Sequence, residues 1–248
     1  MLGRPAATLA LWEALAATAP PARGAAVLVA RGLAPDLEAA CALPLATAAG
    51  AALVELRERA GAVLETVVAC PSCGELLDVT LPLDGVAGLG AGDVGDVAGI
   101  VDASEAVGPV EVRAPTTADV LAVLTAPDIG AALRARCERW PDGVDRPVDP
   151  ELAFRVAAAA ERLAGAAGVT VRLRCPGCAA DVRADVDVVR LLTDRVEQEA
   201  RAELAEVATL AAAFGWTEPQ VLDLSPARRA EYLALADRAF ARRTGGEP

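Results

Sequence analysis

Two short cysteine pairs constrain this chain more than any other feature of its sequence. The first is Cys70-Pro71-Ser72-Cys73 and the second is Cys175-Pro176-Gly177-Cys178. Each pair lies between segments whose pattern predicts a β-strand on either side. Two Cys-x-x-Cys turns that face each other present four thiolates at the corners of a tetrahedron, which is the arrangement that a structural zinc ion requires. The sequence therefore predicts one structural zinc per chain, held by Cys70, Cys73, Cys175 and Cys178.

The two turns are not equally favourable for their backbone. Proline after the first cysteine sets φ for the turn in both pairs. Gly74 follows Cys73 and permits the left-handed conformation that closes the turn. Ala179 stands at the equivalent place after Cys178, where a positive φ costs about 1 kcal/mol. We expect the second turn to be the weaker half of the site.

Two other interpretations of the cysteines stay open beside zinc. A Cys-x-x-Cys pair can be a redox couple or a disulfide, and buried cysteine can be a small inert hydrophobe. Redox motifs usually occur singly and at a helix N-terminus, which favours zinc here. About a hundred residues separate the pairs, whereas an ordinary zinc ribbon has roughly fifteen to twenty. A long segment is therefore inserted into the ribbon, and four sulfur ligands would leave no open position to activate water.

The composition removes most catalytic arrangements. The chain contains no histidine, no lysine and no asparagine. Ser-His-Asp and Cys-His arrangements, imidazole zinc ligands, a P-loop lysine and a Schiff base are thereby excluded. Carboxylate chemistry stays open, but no spacing singles out a pair of acids. We predict no catalytic residue and no small-molecule substrate.

Charge and hydropathy limit the partners and the compartment. The net charge of −12 argues against general binding to nucleic acid or to an anionic membrane. No apolar run reaches the roughly 18–20 residues of a membrane span. The apolar N-terminal stretch is interrupted by Glu13, which favours a packed helix over a signal peptide. Four of the six cysteines have knuckle spacing, which fits a reducing cytoplasm better than a disulfide framework; Cys41 and Cys137 are expected to be buried and inert.

The fold class follows from an apolar fraction that consists largely of alanine, which favours helix and buries little area. We predict an α+β protein, predominantly α-helical, with a small discontinuous zinc-ribbon β element. The predicted regions are an N-terminal helical region (1–65), the split ribbon (66–83 plus 169–187), an insertion of loop, short strands and helices (84–168), and a long helix with a helical hairpin (188–248).

The insertion has four predicted parts. Its glycine-rich part, 84–108, is predicted to be a long loop with a short strand at 97–101 that pairs with 109–113. Helices follow at about 117–125, 128–139 and 151–166. A turn-rich linker at 141–150 precedes the last of these helices.

The C-terminal region begins with an apolar stripe of helical period that ends at Gly215. The stripe consists of Leu192, Val196, Ala200, Leu204, Val207, Leu210 and Phe214. The last helix is basic within an acidic protein. It is either a solvated face with favourable charge at its C-terminus or a docking surface for an acidic partner. The candidate partner-binding residues are Trp216, Arg228, Arg229 and Tyr232, although the two aromatic residues also suit the core of the hairpin.

Several stretches, in this order and spacing, together resemble the baseplate hub assembly protein family of T-even-type phages. The family also occurs in phage-tail-like contractile injection systems. The stretches cover nearly the whole chain. They are Leu11-Trp12-Glu13-Ala14-Leu15, Leu43-Pro44-Leu45, Leu53-Val54-Glu55-Leu56-Arg57-Glu58, both knuckles, Arg113-Ala114-Pro115-Thr116 before Asp119-Val120-Leu121, Phe214-Gly215-Trp216-Thr217-Glu218, and Leu222-Asp223-Leu224-Ser225-Pro226-Ala227-Arg228-Arg229 to Tyr232-Leu233.

The sequence departs from the family pattern in two places: Ala179 replaces a glycine, and the long helix lacks a histidine around Ala208-Thr209. The resemblance implies a non-enzymatic protein of contractile-tail baseplate assembly, with other baseplate or tail-hub proteins as partners. It leaves open whether the chain stays in the particle or acts as an assembly chaperone. The alternative is a zinc-ribbon regulatory or nucleic-acid-binding adaptor, because Arg172, Arg174 and Arg183 lie beside the second knuckle. A third hypothesis is an enzyme with carboxylate or thiolate chemistry.

Overall fold

The computed structural model describes residues 4–83, 98–102, 108–142, 149–164 and 168–244, with side chains as far as residue 240. The chain forms two compact units. The first is Met1–Ala17 with Thr193–Pro248, and the second is Thr18–Leu192. The protein is α+β and mostly helical, with small antiparallel sheets and a long C-terminal helix, which confirms the predicted fold class.

The second unit begins with four helical segments. These are a 3-10 turn (Pro20–Ala22), α2 (Arg23–Ala30), α3 (Leu37–Cys41) and α4 (Leu45–Ala60). Small residues let α2 and α4 approach closely, since a Cβ on Gly24 would lie 3.0 Å from the Cβ of Ala48. Val27, Leu28 and Leu56 are fully buried. Alanine-rich helices thus form a core by close approach rather than by large side chains.

Two antiparallel hairpins carry the knuckles. The first is β1 (Val63–Ala69) with β2 (Leu76–Pro82), and the second is β6 (Val169–Arg174) with β7 (Asp181–Val186). Each hairpin follows a helix, α4 in the first case and α7 (Pro150–Ala164) in the second. The order helix–strand–strand of α4–β1–β2 therefore recurs in α7–β6–β7.

The inserted part forms a small sheet with helices around it. Strand β3 (Ala98–Asp102) pairs with β4 (Pro109–Arg113), as predicted, and β4 pairs with β5 (Glu138–Arg139). Helix α7 covers the sheet, and Val110, Val112, Leu152 and Val156 form their shared core. Helices α5 (Thr117–Val123) and α6 (Ile129–Cys137) match the two predicted here. Most of the predicted glycine-rich loop, 84–97 and 103–107, lies outside the described residues, as does 143–148 of the predicted linker.

A buried carboxylate ties β4, α5 and α6 together. Asp119 is 2% exposed and accepts hydrogen bonds from Arg113 at 2.5 and 2.8 Å and from Arg136 Nε at 2.9 Å. Thr116 caps α5 by accepting from the Asp119 N–H, and the Thr116 N–H and hydroxyl donate back to the Asp119 carboxylate. The Arg113 guanidinium is the largest influence that lowers the pKa of Asp119, despite its burial.

The first unit contains α1 (Arg4–Ala16), most of α8 (Val188–Phe214), α9 (Glu218–Leu222) and α10 (Pro226–Thr244). Most of the predicted stripe on α8 is buried, including Val196, Ala200 and Leu210. Leu204 and Phe214 are the exceptions, at 36% and 41% exposed. At about 100° per residue, three steps of four rotate the stripe by roughly 120° between Leu192 and Leu204, which carries Leu204 off the buried face.

Candidate metal centre

The hairpins place all four predicted cysteines at their tips. The strands of each hairpin stay paired up to the knuckle. The last paired residues are Ala69 with Leu76 in the first hairpin and Arg174 with Asp181 in the second, and the first cysteine of each turn follows directly. In the first turn the Cys70 N–H donates to the Glu75 carbonyl at 2.8 Å, and in the second the Cys175 N–H donates to the Ala180 carbonyl at 2.9 Å. The two knuckles therefore have the same backbone fold.

Each turn closes through a residue with positive φ. Gly74 has a φ of 77° and donates its N–H to the Cys70 carbonyl, whereas Ala179 has a φ of 58° and donates to the Cys175 carbonyl. Ala179 is the one non-glycine residue with positive φ in the described part of the chain. The expected strain at Ala179 is confirmed, and it falls at the position where the side chain costs about 1 kcal/mol.

The four sulfur atoms of the cysteines converge. All lie within 4.8 Å of one another, with Cys70 to Cys178 at 3.7 Å and Cys73 to Cys175 at 3.6 Å. A zinc–sulfur bond of about 2.3 Å in a tetrahedron places neighbouring sulfurs about 3.8 Å apart. The observed spacing fits four thiolates around one metal ion, whereas a disulfide requires about 2.05 Å.

Each knuckle contributes one buried and one exposed cysteine. Cys70 and Cys175 are 2% and 1% exposed, and Cys73 and Cys178 are exposed. The buried pair forms a small core with Leu77 and Val182, against which Val68 and Leu173 pack. The two hairpins are thus joined by a few apolar contacts and by the sulfur cluster.

The surroundings of the cluster shift the pKa values of two buried thiols in opposite directions. The Ser72 and Cys73 N–H groups hold the pKa of Cys70 at about 7, below its ordinary value. The N–H groups of Cys178 and Gly177 act in the same sense on Cys175, but burial and the neighbouring thiols raise its pKa to about 12. Four thiolates this close together need a bound cation to neutralise them.

One neighbour of the cluster was not foreseen. The Glu75 carboxylate lies over Gly177, so that a Cβ on Gly177 would meet Glu75 Oε2 at 1.9 Å. The same oxygen accepts from Cys175 Sγ at 3.4 Å. No local pattern in the sequence indicates this contact, since Glu75 and Gly177 belong to different hairpins.

The four residues predicted to bind a partner lie in the first unit. Arg229 is 4% exposed and pairs with Glu203 and with Glu206 on α8, so its charge is engaged within its own unit. Trp216 and Tyr232 are half-buried, with ring centroids 4.7 Å apart in an edge-on arrangement. Arg228 is exposed. A role of this set in partner binding stays a prediction.

The fold and the site define a mostly helical α+β protein with a split four-cysteine centre. Comparison with protein-family models, with curated proteins and with solved structures found no match for this chain. None of the described helices has the length and the apolar character that crossing a membrane requires.

Proposed function

We propose that the chain is a non-enzymatic assembly factor or structural component of a contractile phage-tail-like baseplate, in its hub region, and that one structural zinc holds its fold. The observation that carries the zinc part is the convergence of four sulfurs within 4.8 Å from two segments about a hundred residues apart. A metal in that position joins the two ends of a long insertion, and its four sulfur ligands leave no coordination site open.

The assembly part rests on the resemblance, and the contacts of its motif residues support it. Arg113, Thr116 and Asp119 form the hydrogen bonds that join β4 to α5 around the buried Asp119 carboxylate. Trp216 and Tyr232 pack against the core of α8 and α9. Motif residues with such framework roles are typical of a family that shares a fold rather than a catalytic site.

The proposed partners are other baseplate or tail-hub proteins, met in the bacterial cytoplasm during assembly. The test is to purify contractile particles from the producing cells and to search them for this chain by mass spectrometry. Stoichiometric presence indicates a component of the particle. Absence, combined with loss of particles when the gene is deleted, indicates a chaperone. Normal particles after deletion would refute the assembly function.

A matched pair of complementation variants connects the metal to that function. Complementing the deletion with a Cys178→Ser gene should fail to restore particles, because the metal that joins the two hairpins is lost. Complementing it with Ser72→Ala, a change in the same kind of turn that removes no sulfur, should succeed. Equal rescue by both genes would separate the metal site from the assembly role.

The second candidate is a zinc-ribbon adaptor for nucleic acid. The exposed arginines Arg172 and Arg183 favour it, since they lie opposite each other on the second hairpin. A gel-shift titration at low salt tests it, and absence of binding would remove it.

A further inference from the structure

The exposed face of the second hairpin carries a pair of arginines that the hairpin fold does not require. The exposed positions of β6 are Thr170, Arg172 and Arg174, and those of β7 are Asp181, Arg183 and Asp185. Opposed residues on this face form three cross-strand pairs.

Two of the pairs are complementary and the middle one is not. Thr170 donates its hydroxyl to Asp185 at 2.7 Å, and Arg174 stands opposite Asp181. Arg172 stands opposite Arg183. Like charges directly opposed on a sheet destabilise it.

Neither member of the like-charged pair has an acidic partner among the described residues. The ion pairs of the described chain involve other arginines, such as Arg31, Arg113 and Arg229. The chain as a whole has a net charge of −12, and its acids outnumber its arginines. The two arginines nevertheless stand opposite each other on the exposed face, and neither forms a salt bridge among the described residues.

The first hairpin shows that the pair is not needed for folding. There the corresponding opposed pair, two residues from the register pair next to the knuckle, is Val67 with Asp78. Both hairpins fold into the same strand–knuckle–strand unit with the same backbone hydrogen bonds. The arginines are thus a property of this face and not of the ribbon.

The arginines also line a depression in the surface. Its volume is about 590 Å³, and the described residues that line it are Arg172, Arg183, Asp181, Leu173 and Val182. Its wall thus combines two arginines and one carboxylate, Asp181, with a small apolar patch. Such a site can hold a short segment of chain with an acidic group on it.

We propose that Arg172 and Arg183 bind carboxylates from an acidic segment of a partner protein. Guanidinium groups form paired, nearly parallel hydrogen bonds with carboxylates, which gives both strength and geometry. Binding would also relieve the repulsion between the two arginines.

The surroundings favour isolated carboxylates over the continuous charge of a nucleic acid. On β7 Arg183 is bracketed by Asp181 and Asp185, so the positive charge of this face is confined to the arginine pair. A carboxylate placed between the two arginines avoids the aspartates, whereas a sugar–phosphate backbone that runs along the strand meets both of them. Two unpaired arginines also fall short of the six to ten phosphate contacts of a typical nucleic-acid site. The net charge of the chain opposes a polyanion further.

Acidic-peptide binding by this face and a role in a baseplate are independent properties of the chain, so the loss of either one leaves the other standing. Peptide binding is measured with the whole purified chain loaded with zinc.

The probe is a fluorescein-labelled peptide of alternating serine and glutamate, with a serine–glutamine peptide of equal length as the neutral control. Fluorescence anisotropy at low salt measures binding to three proteins. They are the unchanged chain, the double variant R172Q/R183Q, and the control double variant R134Q/R162Q. The control removes the same charge from exposed arginines elsewhere in the same unit.

The unchanged chain should bind the acidic peptide and not the neutral one. R172Q/R183Q should weaken binding by about tenfold or more, and R134Q/R162Q by less than about twofold. R172Q/R183Q should keep its zinc and its stability, because it removes a repulsive pair. A fourth protein, R172E/R183E, should lose the acidic peptide and bind a serine–arginine peptide instead.

Three results would overturn the proposal. The first is absence of binding to the acidic peptide. The second is an equal loss of binding in both glutamine double variants, which would mean that only net charge is sensed. The third is tighter binding of a single-stranded oligothymidylate of equal charge, lost in R172Q/R183Q, which would assign the arginines to nucleic acid.

Discussion

Substitution of one exposed ligand should separate the two hairpins. In Cys178→Ser only three thiolates are left, too few for a closed structural site, so we expect the metal to be lost. The contact between the hairpins then depends on their apolar core. That core has two fully buried side chains besides the cysteines, Leu77 and Val182. Burial of a leucine or valine contributes about 1.5–3 kcal/mol, so the apolar contact supplies roughly 3–6 kcal/mol.

This contact is weak compared with a structural zinc. Structural zinc in small domains contributes about 10–16 kcal/mol at neutral pH, and isolated two-stranded hairpins are at best marginally stable. Loss of the metal should therefore open the hairpin pair. We expect Cys178→Ser to reduce the free energy of unfolding by at least about 3 kcal/mol, with the total stability of a domain, about 5–15 kcal/mol, as the upper bound.

The assay combines metal analysis, urea unfolding and hydrogen exchange of the hairpin amides. The unchanged protein should bind one zinc, and a chelator should destabilise it while leaving Cys178→Ser unaffected. Hydrogen exchange should quicken in Val63–Pro82 and Val169–Val186. Cys41→Ala is the matched control, since Cys41 is a buried cysteine outside the cluster and its loss should leave one zinc bound.

The reasoning would be refuted by a variant that retains one zinc with unchanged exchange in both hairpins. The ligand set would then be wrong. Loss of zinc without any loss of stability would instead show that the apolar core alone joins the hairpins.

Three further changes test other parts of the structure. Ala179→Gly should stabilise the chain by about 0.5–1 kcal/mol in urea unfolding, because glycine adopts the observed positive φ without strain; a loss of stability would contradict this. Asp119→Ala should cost about 2–4 kcal/mol, since it removes the carboxylate half of the capping box and the shared acceptor of Arg113 and Arg136, which are themselves 42% and 45% exposed. Because the folded pKa of Asp119 is lowered, its contribution is complete above the unfolded pKa of about 4 and falls as the pH drops below that value. Urea unfolding between neutral pH and pH 3 should therefore show a smaller pH dependence in Asp119→Ala; an equal dependence would be contrary evidence. Arg229→Met should reduce stability in urea unfolding by less than about 2 kcal/mol. Nε and Nη2 of Arg229 are buried without hydrogen-bond partners, and the Glu203 and Glu206 carboxylates that lose their partner are 23% and 38% exposed, so water can solvate them; a loss above about 3 kcal/mol would show that the pair dominates.

The knuckles and their geometry could be predicted because their determinants are local. A Cys-Pro-x-Cys turn specifies its own backbone within a few residues, so the positive φ at Ala179 could be anticipated before the structure. The pairing of the β3 and β4 strands and the start of α5 at Thr116 were predicted for the same reason. In each case the relevant residues lie close together in the chain.

Contacts between distant segments could not be predicted in this way. The sequence marks Asp119 as part of a helix start, but its second arginine comes from α6. Glu75 contacts Gly177 across the two hairpins. Arg229 belongs to a basic helix that looked solvated, yet its side chain is buried against α8. Each contact depends on how separate helices and strands pack against one another, which local sequence patterns do not determine.

The repeated order of α4–β1–β2 and α7–β6–β7 gives the split site a physical rationale. Each half supplies one buried and one exposed sulfur, and no half by itself holds four ligands. The cost of closing the loop between them grows only slowly with its length, so a hundred-residue insertion adds little to the cost of an ordinary ribbon. The segment between β2 and β6 can therefore carry its own sheet and helices while the knuckles keep their geometry. The outer faces of the two hairpins take no part in holding the cysteines, so their residues can differ. The second hairpin accordingly has its arginine pair at the position where the first has Val67 and Asp78.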